Sequence, residues 1–176
     1  MSGLAACAPP PPPTLHQIDV ENPSGCCGGL VASSQWDWGQ TFTATRSGLL
    51  DQVTLWIQVV GRGPLTISIR PLDGTGHAAS TVLGSRSYSG PAIGEVQIAM
   101  TTAAPVVSGH RYAIVLEADY TDADPTWQLA FNDPSLAGQI FYTKYNGPDD
   151  YSIYERTGSL AFETWVLPRI VPPWSR

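Results

Sequence analysis

The sequence predicts an all-β chain, folded as an antiparallel sandwich or barrel. Three observations carry that expectation. The first is the stretch from Leu50 to Arg70, where Val53, Leu55, Ile57 and Val59 alternate with Thr54, Trp56, Gln58 and Val60. After Gly61-Arg62-Gly63-Pro64 the alternation resumes as Leu65, Ile67 and Ile69 against Thr66, Ser68 and Arg70. A period of two sends the two sets to opposite faces of a sheet. The second is that about ten such short runs occur, divided by turn residues, with no stretch of helical period. The third is composition: Gly 17 and Pro 16 in 176 residues supply the turns such a chain needs.

Taken in order, Leu15-His16-Gln17-Ile18-Asp19-Val20 reads as a first strand. Asn22 to Gly29, with Pro23, Gly25 and Gly28, reads as a long loop. Gln40 to Thr45 is a second strand, preceded by an irregular stretch, Gln35-Trp36-Asp37-Trp38-Gly39. Leu50 to Arg70 is expected to form a hairpin, its two glycines giving the backbone freedom of a tight turn. Pro71 to Ser80 is a loop around Asp73-Gly74 and His77. Thr81 to Tyr88 and Glu95 to Met100 follow as strands, the second clearer through Val96, Ile98 and Met100. Pro105-Val106-Val107-Ser108-Gly109 turns into a strand from Arg111 to Ala118. Asp119 to Pro125 is an acidic loop. Runs at Trp127 to Phe131, Gln139 to Tyr145, Tyr151 to Tyr154 and Leu160 to Leu167 complete the set. The chain thus divides into a proline-rich N-terminal tether over 1–13, a β domain over 14–167 and a second proline-rich tail over 168–176.

Hydrophobic residues make up 43%, enough for one domain with a core, while charged residues are only 14%. Net charge is -6, and the few arginines are scattered. A nucleic-acid partner needs a basic footprint to displace counterions from phosphate, so that class of partner is not expected. No run of about 18 apolar residues is present, so no transmembrane helix is expected. Of the three cysteines, Cys26 and Cys27 are neighbours, too close for an ordinary disulfide with each other. With Cys7 they do not make a zinc site.

Two resemblances bear on location and fold. Leu4-Ala5-Ala6-Cys7 resembles the lipobox of bacterial lipoproteins, which implies lipidation at Cys7, and Pro9 to Pro13 looks like the tether that follows it. A signal sequence also needs a basic and an apolar region, and only Met1-Ser2-Gly3 precede the motif here. Gln40-Thr41-Phe42-Thr43-Ala44 followed by Gly48 to Leu55 resembles the opening of jelly-roll modules from bacterial secreted and surface proteins. Pro105 to Leu116 is similar to their edge strand, glycine turn and tyrosine strand, and Trp127, Ala137-Gly138 and Leu160-Ala161-Phe162-Glu163-Thr164 also fit. That likeness implies an antiparallel β-sandwich of jelly-roll type. It also implies a binding fold like that of carbohydrate-binding domains, and not an enzyme.

Chemistry-bearing motifs are sparse. His16, His77 and His110 fall in different segments, and no nucleophile elbow, zinc-protease helix or phosphate-binding glycine loop occurs, so no catalytic residue is assigned. Asp119, Asp122 and Asp124 are the one calcium candidate, although their spacing is not that of an EF-hand. No other cofactor is expected. Trp56, Trp127 and Trp165 read as packing. Trp36, Trp38 and Trp174 lie in irregular stretches and are the candidates for contact with a partner. The expectation is a non-enzymatic, extracytoplasmic structural or interaction subunit. It docks on a larger protein assembly at a membrane or cell surface, on the periplasmic side or outside. The alternative is a lipid-anchored carbohydrate-binding module, with a glycan as ligand.

Overall fold

The structure, a computed structural model, describes residues 15–18, 29–32, 36–118, 126–132, 140–147, 150–156 and 159–168. Thirteen antiparallel strands and no helix occur among them. They are β1 (Leu15–Ile18), β2 (Gly29–Ala32), β3 (Trp36–Thr43), β4 (Gly48–Val59), β5 (Leu65–Pro71), β6 (Gly84–Tyr88) and β7 (Gly94–Val106). There follow β8 (Arg111–Ala118), β9 (Trp127–Asn132), β10 (Ile140–Gly147), β11 (Asp150–Arg156), β12 (Ser159–Leu160) and β13 (Phe162–Pro168).

Their neighbours define a jelly roll. One layer runs β1-β13-β4-β7 and the other β6-β5-β8-β3, extended by the β10–β11 hairpin. Numbering the eight framework strands (β1, β3, β4, β5, β6, β7, β8, β13) in chain order gives layer orders 1-8-3-6 and 2-7-4-5, a pair of interlocked Greek keys. The single pair Ser85↔Thr102 joins the layers along one side, where β7 leaves β4 between Ala99 and Ala104 and reaches β6. β2, β9 and β12 form a small extension of the first layer, with β9 continuing along β4 at Ile57 and Val59.

One consequence corrects the sequence reading. β4 and β5 do not form a hairpin: β4 pairs with β7, β13 and β9, and β5 with β6 and β8. The connection over 60–64 crosses from one layer to the other. Alternation says that each run is a strand with one buried face, but not which strand lies beside it. The glycines serve the crossing. Gly63 has a φ of 70°, open to glycine and strained for other residues. A Cβ on Gly61 would lie 2.4 Å from the Trp127 ring, which closes the crossing and donates its indole N–H to the Gly63 carbonyl at 3.3 Å.

The core lies between the layers. Val53, Leu55, Ile57, Ile98 and Phe162 face Phe42, Ile67, Ile69, Ile114 and Leu116, all buried. The expected division of both runs between two faces therefore holds, but the outer set is covered too: Thr54, Trp56 and Ser68 are buried, with Trp56, opposite Leu55, packed against Ala130 and Ala161. One polar side chain crosses the interior. Gln40 accepts from the Leu160 amide at 3.2 Å and donates to the Thr41 carbonyl at 3.2 Å, satisfying both ends of its amide. Tyr112 accepts the Val107 N–H at 2.9 Å, the tyrosine clamp that fastens a Greek-key crossover. The missed strand is β2, whose four residues carry too little pattern to read.

Candidate functional site

The outer face of the second layer carries the most organised polar cluster. In β3 the side chains of Trp38, Gln40 and Phe42 turn inward, so Asp37, Gly39 and Thr41 turn outward. One step beyond the pair Trp38↔Leu116, Asp37 faces Glu117 of β8. Glu117 in turn faces Thr66 of β5, and Ser68 and Arg70 continue along that strand. Arg70 lies over β5 toward the carboxylates: its Nε donates to Ser68 Oγ at 3.0 Å and its Nη2 to Glu117 Oε1 at 2.6 Å. Both partners of that ion pair are largely covered, at 18% and 33% exposure, so solvent screens it less than a free surface pair.

The charges shape one another. Burial, with Glu117 opposite, pushes the Asp37 carboxyl up to about 6, and Arg70 opposes the rise. Glu117, by contrast, holds the arginine directly. The cluster thus presents a guanidinium, a carboxylate and a second, more weakly acidic carboxyl in one line across three strands. Beside it the sheet face is apolar. Phe141 of β10 lies over Gly39, where a Cβ would come within 2.1 Å of its ring. Ala113 and Val115 complete the patch, and Leu72 and Ala78 pack on it from the loop after β5. That loop is held by Asp73, whose Oδ1 accepts from the Thr75 amide at 2.8 Å, the Thr75 hydroxyl at 2.6 Å and the His77 amide at 3.0 Å. These bonds hold the Asp73 carboxyl below the usual carboxylate range. His77 meets the edge of Phe141 at 6.1 Å and shares a hydrogen bond with Thr75.

The residues singled out from sequence fall elsewhere. Trp36 and Trp38 belong to a regular strand, not to an irregular stretch. Trp38 is a core residue, 6% exposed and 4.9 Å from the Tyr142 ring, so it does not offer an external contact. Trp36 is half-buried at the rim between the layers, 5.3 Å from the same tyrosine. The physical reason is register: once the strand begins at Trp36, alternation turns both tryptophans toward the interior with Gln40 and Phe42. Cys7, Trp174 and the calcium candidates Asp119, Asp122 and Asp124 lie outside the described residues. Among the described residues no three His, Cys, Asp or Glu side chains gather as a metal cluster, and no helix is long and apolar enough to cross a membrane.

Sequence reading did not find Asp37, Glu117 and Arg70. Arg70 and Glu117 stand on the outward phase of predicted strands, whereas Asp37 falls in the stretch expected to be irregular, and only the strand order shows that the three are neighbours. A second feature lies on the outer face of the first layer. There Trp165 donates Nε1 to Thr54 Oγ1 at 3.0 Å, beside Gln52, its cross-strand partner. The class that the fold defines is an antiparallel sandwich of jelly-roll type, with hydrogen-bonded polar side chains on both outer faces. No protein-family model matches the chain, and no curated protein matches it significantly.

Proposed function

We propose that the protein is a non-enzymatic interaction subunit that works outside the cytoplasm, anchored through Cys7, and docks on a larger membrane or surface assembly. The observation that carries this reading is the Asp37–Glu117–Arg70 line. It is a partly desolvated set of both signs on a sheet face, with Arg70 fixed by hydrogen bonds to Glu117 and Ser68, as a recognition surface for a polar partner requires. Copurification from native membranes followed by peptide mass spectrometry tests it. A stable partner should be recovered, and a Glu117→Ala, Arg70→Ala variant should lose it. Recovery of the protein alone sinks the proposal.

The second reading is glycan binding, and Trp165 favours it. Its indole is held in place on an outer sheet face next to an amide side chain, the combination that stacks on a sugar ring and bonds its hydroxyls. On that reading Trp165→Ala abolishes retention on a polysaccharide with the fold intact. Absence of retention for the unaltered chain across a broad glycan array rules it out.

A further inference from the structure

Along β4 the alternation changes phase once. Leu50 and Val53 both belong to the core, and the ladders to β7 and β13 each skip Asp51. A bulge there turns Gln52 outward, whereas unbroken alternation from Leu50 would bury it. Gln52 therefore joins a row on the outer face of the first layer, between Trp165 of β13 and Ala99 of β7. Two residues further along β4, Thr54 lies between Glu163 and Gln97, and beyond it Trp56 faces Glu95.

Thr54 stands on this outer face and yet is 0% exposed. The indole of Trp165 accounts for that. Its Nε1 donates to Thr54 Oγ1 at 3.0 Å, so the ring reaches diagonally from β13 onto β4 and lies over the threonine instead of standing off the sheet. Trp165 is itself only partly buried. An indole pinned in this way turns one face to the sheet and the other outward. Amides stand on either side of the threonine that it covers. Gln52 is half-buried and Gln97 exposed, and neither side-chain amide is hydrogen-bonded among the described residues. Ala99, small and exposed, leaves the β7 end of the first row low.

These groups match the two sides of a sugar ring. The C–H face of a pyranose stacks on an indole, and an amide both donates and accepts, as a sugar hydroxyl does. Neighbouring strands lie about 4.8 Å apart, so the face from β13 across β4 to β7 is about 10 Å wide, more than one pyranose ring covers. The described side chains of these rows include Glu95 and Glu163 and no lysine or arginine. Arg86, from the second layer, is bonded to Thr101 at 3.2 Å where the two layers meet. An acidic sugar would bring its carboxylate up against the glutamates.

We infer that Trp165, Gln52 and Gln97 form a binding site for a neutral polysaccharide chain, which lies across β13, β4 and β7. The inference rests on the glycan reading of Trp165 above. It adds the two amides, the direction of the chain and the exclusion of acidic polymers.

The test is affinity electrophoresis of the full chain in native gels containing hydroxyethyl cellulose, arabinoxylan, galactomannan or polygalacturonate. Expected is retardation by at least one of the three neutral polymers and none by polygalacturonate. Gln97→Ala should weaken that retention about fivefold, the worth of one hydrogen bond, and Gln52→Ala likewise. Ser87→Ala, on the outer face of the second layer, should leave it unaltered. Gln97 and Ser87 are both exposed, and unchanged melting curves check the fold. If Trp165→Ala abolishes retention while Gln52→Ala and Gln97→Ala leave it as it was, the inference fails and the glycan reading stands. Retention by polygalacturonate alone has the same meaning. No retention by any of the four polymers overturns both.

Discussion

At the scale of single residues, Trp38 and Gly39 show how neighbouring positions of one strand serve opposite faces. Trp38 fills the interior against Tyr142 and is 6% exposed. Trp38→Ala should therefore destabilise the protein by about 3–5 kcal/mol, measured by urea unfolding. Trp36→Ala should cost less, about 1 kcal/mol, since that side chain is only partly buried. If both changes proved equally mild, the inward register of β3 would be wrong. Gly39 is the floor beneath Phe141. A methyl group there would overlap the ring at 2.1 Å, and Phe141 is itself hemmed in by Ala113, Val115, Leu72 and Ala78. Gly39→Ala should destabilise by about 1–3 kcal/mol, the range for overpacking. The companion change Phe141→Leu should recover part of the loss.

At the scale of elements, the β3–β8 pairing carries a titratable group. The Asp37 carboxyl rises from 3.8 to about 6 on folding, chiefly through burial. A carboxyl with a raised native pKa binds its proton more tightly in the folded chain than in the unfolded one. Its favourable contribution is complete below the unfolded value of 3.8 and is lost as pH climbs through about 6. Discounted for solvent reaching the group, the loss is about 1 kcal/mol. Asp37→Asn should remove that dependence and leave the variant more stable than the parent at neutral pH, as read by denaturant melts on either side of the transition. An unchanged pH profile would mean that Asp37 is solvated. The β4–β5 crossing is the second element-scale device. Gly63→Ala must hold a φ of 70° and should cost about 1 kcal/mol.

At the scale of the whole molecule, the described pairing of the last framework strand ends at Pro168↔Gly48. Deleting 169–176 removes none of those pairs. The truncated chain should melt within about 2 °C of the parent and yet copurify more weakly with its assembly, since proline-rich sequence loses little entropy when it docks in a groove on a partner. Unfolding of the truncated chain would place those residues in the core instead. Normal assembly would leave docking to the Asp37, Glu117 and Arg70 line alone.

The sequence by itself determined the local state of the chain. Val53 to Ile57 and Leu65 to Ile69 could bury one side only as strands, because β-branched residues at a period of two leave a helix with no continuous apolar face. Arg111 to Ala118 was legible to the residue for the same reason. The run at Leu160 to Leu167 was legible as strand, although it divides at Ala161 into β12 and β13. What only the tertiary structure decided is who lies beside whom. A Gly-Arg-Gly-Pro connection serves a hairpin and a layer crossing equally, so β4 and β5 read as partners until their sheets were known. Trp36 and Trp38 read as candidates for an external contact because the start of β3 sits beside a poorly patterned stretch, and their inward phase follows only from pairing with β8 and β10. The candidate site lies wholly on that side of the divide. Asp37, Arg70 and Glu117 are separated by 33 and 47 residues and meet because jelly-roll order puts the second, seventh and fourth framework strands side by side. Local pattern reports the burial of a residue, whereas a site is a set of long-range neighbours, which the alternation of any one strand does not encode.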